Sequence, residues 1–358
     1  MTCTQVDDRL TKTLAQIAPG TQLREGLERV LRAEKGALVV LGAPPKVQAL
    51  FSGGFRIHVP FTAQRLSELA KMDGAIILDE AARTILWANV HLMPDPAIAT
   101  AETGTRHRTA ERVARQTQMP VVTVSESMHI LTLYLDELRH VFENVTSVLS
   151  RGNQAVQTLE HYRARFDEVI GVLTSAELEG TATQRDVLAV LARSEMLRRV
   201  GEELDRYVAE LGVDGRLLSL QLDELSAGVE EAKVAVIRDY LVPRPGVGTS
   251  DVLGELCRRA PEELADTAAL AKVLDLVDEP EDLDAHLVPR GYRLLAKVPQ
   301  LPSWVIDRVV ERFGSLKVLL AASLDDLEEV EGVGRERARQ VREGLGRLAE
   351  ASMVEYYA

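Results

Sequence analysis

The sequence predicts a multidomain protein: an N-terminal α/β domain, a central all-α spine and a C-terminal domain of short helices. Three observations predict it. At 358 residues the chain exceeds what one ordinary core holds. Short aliphatic runs alternate with helical patterns in the first third, and from Glu137 the period turns helical and stays so. Charge is segregated as well: residues 1–148 and 287–358 are each balanced, so the whole net charge of −13 falls in residues 149–286. The boundaries follow at 1–148, 149–286 and 287–358.

Composition narrows the class. A hydrophobic content of 46% with 27% charged residues describes a soluble globular chain, and 4% aromatics favours helix-rich packing over an all-β sandwich. No run of about 18 apolar residues occurs, which removes a membrane span. Met1–Gly20 lacks the basic start and apolar core of a secretory signal, so a cytoplasmic protein is expected. Cys3 and Cys257 are too few for a disulfide framework or a zinc site.

Gly36–Gly42, Gly74–Glu80, Thr84–Val90, Met119–Glu126 and Ile130–Leu135 read as strands, each aliphatic or β-branched and bounded by Gly, Pro or charge. Arg65–Met72 and Thr109–Thr117 read as helices; in the second, Ala110, Val113, Ala114 and Thr117 make one buried face. Beyond Glu137, Leu138, Val141, Phe142, Val145, Val148 and Leu149 form one stripe, continued after Gly152 by Leu159, Tyr162, Phe166, Val169, Ile170 and Leu173. Val242–Ser250 is the clearest flexible break and Asp278–Asp284 a second boundary. Short amphipathic helices resume at Pro289 and end at Tyr356 and Tyr357.

Two motifs at element ends carry chemistry. Asp73-Gly74-Ala75 enters a strand; about thirty residues later Gly104-Thr105-Arg106-His107-Arg108-Thr109 enters a helix. Taken singly, the first is a turn before a strand and the second a solvated basic turn. Together they suit a nucleotide. A helix starting near Thr109 offers unpaired N–H groups and the positive end of its dipole. Arg106 and Arg108 add two permanent charges in fork geometry for phosphate oxygens, and Thr105 and Thr109 add hydroxyls. Asp73 supplies a carboxylate that, with substrate phosphates, holds a divalent cation such as Mg²⁺.

This pairing, with Asn89-Val90-His91-Leu92-Met93-Pro94-Asp95-Pro96 between the motifs and Val124-Ser125-Glu126-Ser127 after them, resembles the signature of the diadenylate cyclase family of DNA integrity scanning (DisA) proteins. The resemblance implies a mixed sheet with flanking helices binding one ATP per protomer. It implies that Gly74, Ala75 and Leu92 contact the nucleoside, and that Thr105, Arg106, His107, Arg108 and Thr109 hold the triphosphate, with Ser125 nearby. Asp73 would bind Mg²⁺ or Mn²⁺ and assist deprotonation of the 3′-hydroxyl. Asp73, Arg106, His107 and Arg108 are the expected catalytic set. A homo-oligomer, an octamer, is implied, with DNA-binding tips carried on helical spines.

At the other end, Val330-Glu331-Gly332-Val333-Gly334 followed by Arg335-Glu336-Arg337-Ala338-Arg339 reads as a helix-hairpin-helix element. Its glycines permit a tight hairpin, and phosphate can approach the N–H groups of the next helix. Gly332, Val333, Gly334, Arg335, Arg337 and Arg339 are the expected contacts to branched or damaged DNA. At Val298–Pro302, Pro299 and Pro302 stand where a second hairpin would have glycine, and proline offers no N–H. A small helical packing module is the plain alternative for this region. For the whole chain the alternative is a DNA-structure-binding repair scaffold using ATP only as a ligand. An unrelated nuclease would want clustered carboxylates that the front domain lacks. Trp87 and Trp304 read as packing residues rather than base-stacking platforms.

Overall fold

A computed structural model describes residues 3–242, 247–274 and 282–356. Residues 243–246 of the break at Val242–Ser250, residues 278–281 of the boundary at Asp278–Asp284, and Tyr357 lie outside the described residues. By contact the chain divides into two compact units, one of residues 1–155 with 203–221, the other of residues 156–202 with 222–358. The span 149–286 therefore contributes to both.

The first unit is built on strands β1 (Ala37–Leu41), β2 (Phe51–Ser52), β3 (Phe55–Pro60), β4 (Ala75–Leu78), β5 (Thr84–Leu92), β6 (Val121–Val124), β7 (Leu131–Leu135) and β8 (Leu138–Val141). They run in the order β2-β5-β4-β1-β6-β7-β8, with β3 paired to β5. Only β1 and β4 pair in parallel; the other pairs are antiparallel, so the sheet is mixed. Helices α1 (Cys3–Ile17), α2 (Gln22–Arg32), α3 (Pro45–Gln48), α4 (Ala63–Leu69) and α5 (Thr105–Thr117) flank it.

Strands β1 and β4 are apolar at every position because both faces are covered. Val39, Leu41, Ile76 and Leu78 share a core with Leu14 of α1, Leu27 of α2 and Leu66 of α4. Their neighbours Leu38, Val40, Ala75 and Ile77 pack with Ala110, Val113 and Ala114 of α5 on the other face. The predicted buried face of α5 is thus where its period put it.

Two sequence-based expectations change. Leu138 and Val141 belong to β8, which pairs with β7 across a turn where Asp136 has φ +50°. The helix expected from Glu137 instead starts at Val145. It then passes through Gly152 unbroken as α6 (Val145–Glu179). A Cβ at Gly152 would sit 2.5 Å from Leu218 Cδ1, so the glycine lets a neighbouring segment come close rather than ending a helix.

In the remainder, all described elements are helical: α7 (Gln184–Leu211), α8 (Arg216–Ser226), α9 (Val229–Tyr240), α10 (Thr249–Arg258), α11 (Pro261–Ala265) and α12 (Thr267–Leu274). After them come α13 (Tyr292–Ala296), α14 (Ser303–Phe313), α15 (Leu316–Ala321), α16 (Leu324–Glu328) and α17 (Arg335–Tyr356). Leu294, Val305, Val309, Leu316, Val333, Ala338 and Val341 are central to the core of the last five. Among the described residues no helix is long and apolar enough to cross a membrane.

Candidate nucleotide site

At one edge of the sheet the starts of β1 and β4 lie beside the ends of β5 and β6. Register fixes this: Ala75 faces Leu38 and Val90, and Ala37 faces Val124. An open cleft of about 990 Å³ occupies that edge, and Asp73, Gly74, Ala75, Leu92, Thr105, Arg106, His107, Thr109 and Ser125 all line it. The two motifs read from the sequence therefore share one cleft. Doubly wound sheets place ligands at the carboxyl ends of parallel strands. Here the parallel pair offers its amino ends, and antiparallel β5 and β6 bring their carboxyl ends to the same edge.

Gly74 has φ +96°, a conformation that disfavours side chains. A Cβ there would lie 2.8 Å from the carbonyl carbon of Asn89, so the approach that requires glycine is that of β5 itself. The Asn89 side-chain amide donates to the Asp73 carbonyl at 2.5 Å and ties the turn to the strand. Asp73 is left exposed at the cleft.

Helix α5 begins at Thr105, four residues earlier than expected, with Gly104 as its N-cap and no side-chain cap. Arg106, His107 and Arg108 thus lie within its first turn. Successive residues on a helix are turned by about 100°, so three side chains adjacent in sequence go three ways. Arg106 lies over the backbone at the start of β1: a Cβ on Gly36 would come 2.1 Å from its Nη1 and 2.5 Å from its Cζ. His107 turns inward and is 8% exposed. Arg108 is exposed and does not line the cleft. The Thr109 hydroxyl donates to the Thr105 carbonyl at 2.9 Å and is spent within the helix.

His107 sits in a network the sequence did not reveal. Its Nδ1 is 2.8 Å from Tyr134 Oη and 3.2 Å from Thr123 Oγ1. Tyr134, buried in β7, donates its hydroxyl to Glu102 Oε1 at 2.9 Å, and Arg139 of β8 pairs with the same oxygen at 2.6 Å. Burial holds the His107 pKa below its ordinary value; Glu102 opposes this, and the charges of Arg139 and Arg106 add to it. Burial and donation to Glu102 push the Tyr134 pKa up. Ser125 is 5% exposed, with its N–H donating to the Ile130 carbonyl and its Oγ accepting from the Met128 N–H.

No group of three or more acidic, His or Cys side chains able to hold a metal occurs among the described residues. Asp73 and Glu126 are the carboxylates that line the cleft, and one carboxylate acting together with substrate phosphates would suit Mg²⁺ or Mn²⁺.

The C-terminal candidates cluster between α16 and α17. Gly332 has φ +83°, and a Cβ there would sit 2.6 Å from Trp304 Cζ3. Val333 is buried, while Gly334, Arg335 and Arg339 are exposed. Arg337 donates to the Gly332 carbonyl at 2.8 Å, and Arg308 donates to that of Glu331 at 2.8 Å. Both guanidiniums lie over the Trp304 ring, which is 43% exposed rather than packed in a core.

Residues 24–138 match the family described as DisA bacterial checkpoint controller nucleotide-binding, and residues 142–283 match its linker region. The DNA integrity scanning protein DisA of Acidothermus cellulolyticus is 56% identical, the alignment covering 98% of this chain and 96% of that one. Its counterpart in Frankia casuarinae is 53% identical over 98% of each chain.

Proposed function

Because the chain belongs to the DisA family and is a diadenylate cyclase, a nucleotidyltransferase, we propose that the cleft binds one ATP and that two protomers condense their nucleotides into cyclic di-AMP. The observation carrying this reading is the convergence of the Asp73 turn and the Arg106 helix start on one open cleft. Arg106 and the free N–H groups of the first turn of α5 hold phosphate oxygens. Gly74, Ala75 and Leu92 contact the nucleoside, and Ser125 lies near the triphosphate. Asp73 would hold Mg²⁺ or Mn²⁺ against the phosphates, where the ion stabilises charge on the α-phosphate.

Product symmetry dictates the assembly. Each 3′-hydroxyl must attack the α-phosphate of the other nucleotide, forming two phosphodiester bonds and releasing two pyrophosphates. One cleft holding one ATP cannot do this, so two clefts face each other across a two-fold axis. Positioning of that kind is worth about 7–11 kcal/mol of barrier. Exposed Arg108 reaches phosphate only in that facing arrangement. Incubation with ATP and Mg²⁺ or Mn²⁺, with products identified by mass, tests the reading. Asp73→Asn should bind ATP and make no cyclic di-AMP. A strictly monomeric variant with full turnover would refute the two-fold arrangement.

The turn between α16 and α17 acts as a helix-hairpin-helix contact to DNA. Gly332, Val333 and Gly334 shape it, and Arg335, Arg337 and Arg339 supply charge. What supports this is the positive φ of Gly332 and the exposed arginines at the start of α17. Such contacts reach backbone phosphates and carry little sequence information. Branched or damaged DNA is therefore the partner, an octamer multiplies the weak contacts, and bound DNA lowers cyclase output. Turnover unchanged by saturating branched DNA, with binding confirmed, would refute the regulatory part.

A further inference from the structure

We infer that Glu102, Tyr134 and Arg139 are positioning residues that fix the tautomer of His107, so that its Nε2 presents a bare lone pair to the cleft and accepts a hydrogen bond from a hydroxyl or amine donor of the nucleoside, not from phosphate. The inference rests on the reading of the cleft as the nucleotide site.

The logic is a count of protons. A phenol has one hydrogen. Glu102 Oε1, a carboxylate paired with Arg139 at 2.6 Å, is 2.9 Å from Tyr134 Oη and is the stronger acceptor for it. With that hydrogen spent, Tyr134 Oη faces His107 Nδ1 at 2.8 Å with lone pairs only. Two lone pairs do not meet at that distance, so Nδ1 carries the hydrogen and donates. Thr123 Oγ1, also near Nδ1, has the Thr132 carbonyl as acceptor for its own hydrogen.

A buried imidazole held below its ordinary pKa has no second proton at neutral pH. Nε2 is therefore bare. It has no hydrogen-bond partner among the described residues, it is not among the buried polar atoms lacking one, and His107 lines the cleft. Nε2 accordingly opens toward the ligand. A lone pair repels phosphate oxygens; the groups of ATP that can satisfy it are the ribose hydroxyls and the adenine amine. The arginine-histidine-arginine run thus holds two cations and one acceptor, not three phosphate donors. The acceptor's orientation is set from β7, β8 and the loop before α5.

The test uses the full-length protein labelled with ¹⁵N in the histidine rings, observed at neutral pH with and without ATP. Wild-type His107 should show a protonated Nδ1 and an unprotonated Nε2, and Nε2 should shift on ATP binding. Tyr134→Phe removes the nearer acceptor for Nδ1–H and leaves Thr123 Oγ1, 3.2 Å away, to take it, so the tautomer there should hold. Glu102→Ala, in a partly exposed loop, frees the tyrosine hydrogen for Nδ1. Glu102→Ala should move the proton to Nε2 and weaken ATP binding by roughly three- to tenfold, the scale of one hydrogen bond. Analogues lacking the 2′-hydroxyl, the 3′-hydroxyl or the adenine amine identify the donor: the one that meets Nε2 loses affinity in wild type and shows no further loss in Glu102→Ala. A wild-type Nε2 that carries the proton overturns the inference, as does an unchanged tautomer in a folded Glu102→Ala protein. An ATP complex that turns over without any shift at His107 would overturn the cleft assignment instead.

Discussion

Replacing Gly36 by alanine should sever nucleotide binding from stability. Gly36 stands just before β1, is buried, and is not among the positive-φ glycines, so alanine is not strained in its backbone. What the new methyl meets is the Arg106 guanidinium, at 2.1, 2.5 and 2.8 Å from Nη1, Cζ and Nη2. These atoms are the far end of a flexible side chain, so the arginine leaves rather than the fold yielding. A charge-assisted contact to phosphate is worth about 1.5–3 kcal/mol. ATP affinity should therefore fall about 10- to 100-fold. The melting temperature should hold or rise slightly, because alanine narrows the unfolded ensemble by ~0.4–1 kcal/mol. Calorimetric titration with ATP and a thermal melt of the same sample read both quantities. Arg106→Ala should lose a similar amount, and the double variant no more than either single one. Additive losses, or unchanged ATP affinity in Gly36→Ala, would show that the seat over Gly36 is not the working position of Arg106.

Other outcomes follow from the same coordinates. Gly74→Ala should behave oppositely to Gly36→Ala: with φ +96° and the Asn89 backbone 2.8 Å away, strain of about 1–3 kcal/mol lowers the melting temperature together with ATP binding. In the second unit Glu177 accepts from Arg293 and from Tyr240 Oη, with both members of the ion pair almost fully buried; Glu177→Ala strands a buried guanidinium and should cost about 3–5 kcal/mol in a denaturant titration. Lowered in the folded state, the His107 pKa predicts a signed pH effect: stability from this group is complete above its ordinary 6.5 and is lost as pH falls through the lower folded value. Melting temperatures of wild type and His107→Gln should therefore diverge near neutrality and converge in acid.

The sequence showed most clearly what lies covered on both sides. β1 and β4 are continuous aliphatic runs, and β6 and β7 are interrupted only by Thr123, Thr132 and Tyr134, all buried. β8 was hidden because Leu138, Val141 and Phe142 also fit a helical stripe, and only pairing with β7 decides between the two periods. β3 was missed for the opposite reason: it is a largely exposed strand, with Phe55 61% exposed and Pro60 at its end, and it half-buries only Ile57 and Val59, too short an alternation to stand out. At the cleft, residues contiguous in the chain were legible and residues assembled by register were not. Tyr134 reaches His107 because β7 pairs with β6 and lies on the α5 side of the sheet. Gly36, read as the boundary of a strand, gave no sign that an arginine seventy residues away fills the space of its missing side chain.

That arrangement explains how one short run performs several tasks at a single helix start. Had α5 begun at Thr109, Arg106, His107 and Arg108 would have sat on an irregular loop, and nothing in the fold would have separated their directions. Beginning at Thr105, the helix holds them about 100° apart. One guanidinium is seated on β1 at the cleft, the imidazole is pinned from β7, and the second guanidinium is left on the surface. Moving the run by one residue would exchange these surroundings: an arginine, always charged and with N–H donors but no lone pair to offer a ligand, would enter the Tyr134–Glu102 network, and the histidine would face solvent. The register of the helix, set by Ala110, Val113 and Ala114 locking into the sheet, therefore assigns the chemistry of the motif. A substitution such as Ala110→Val, which touches no ligand, should weaken ATP binding by tilting all three side chains together.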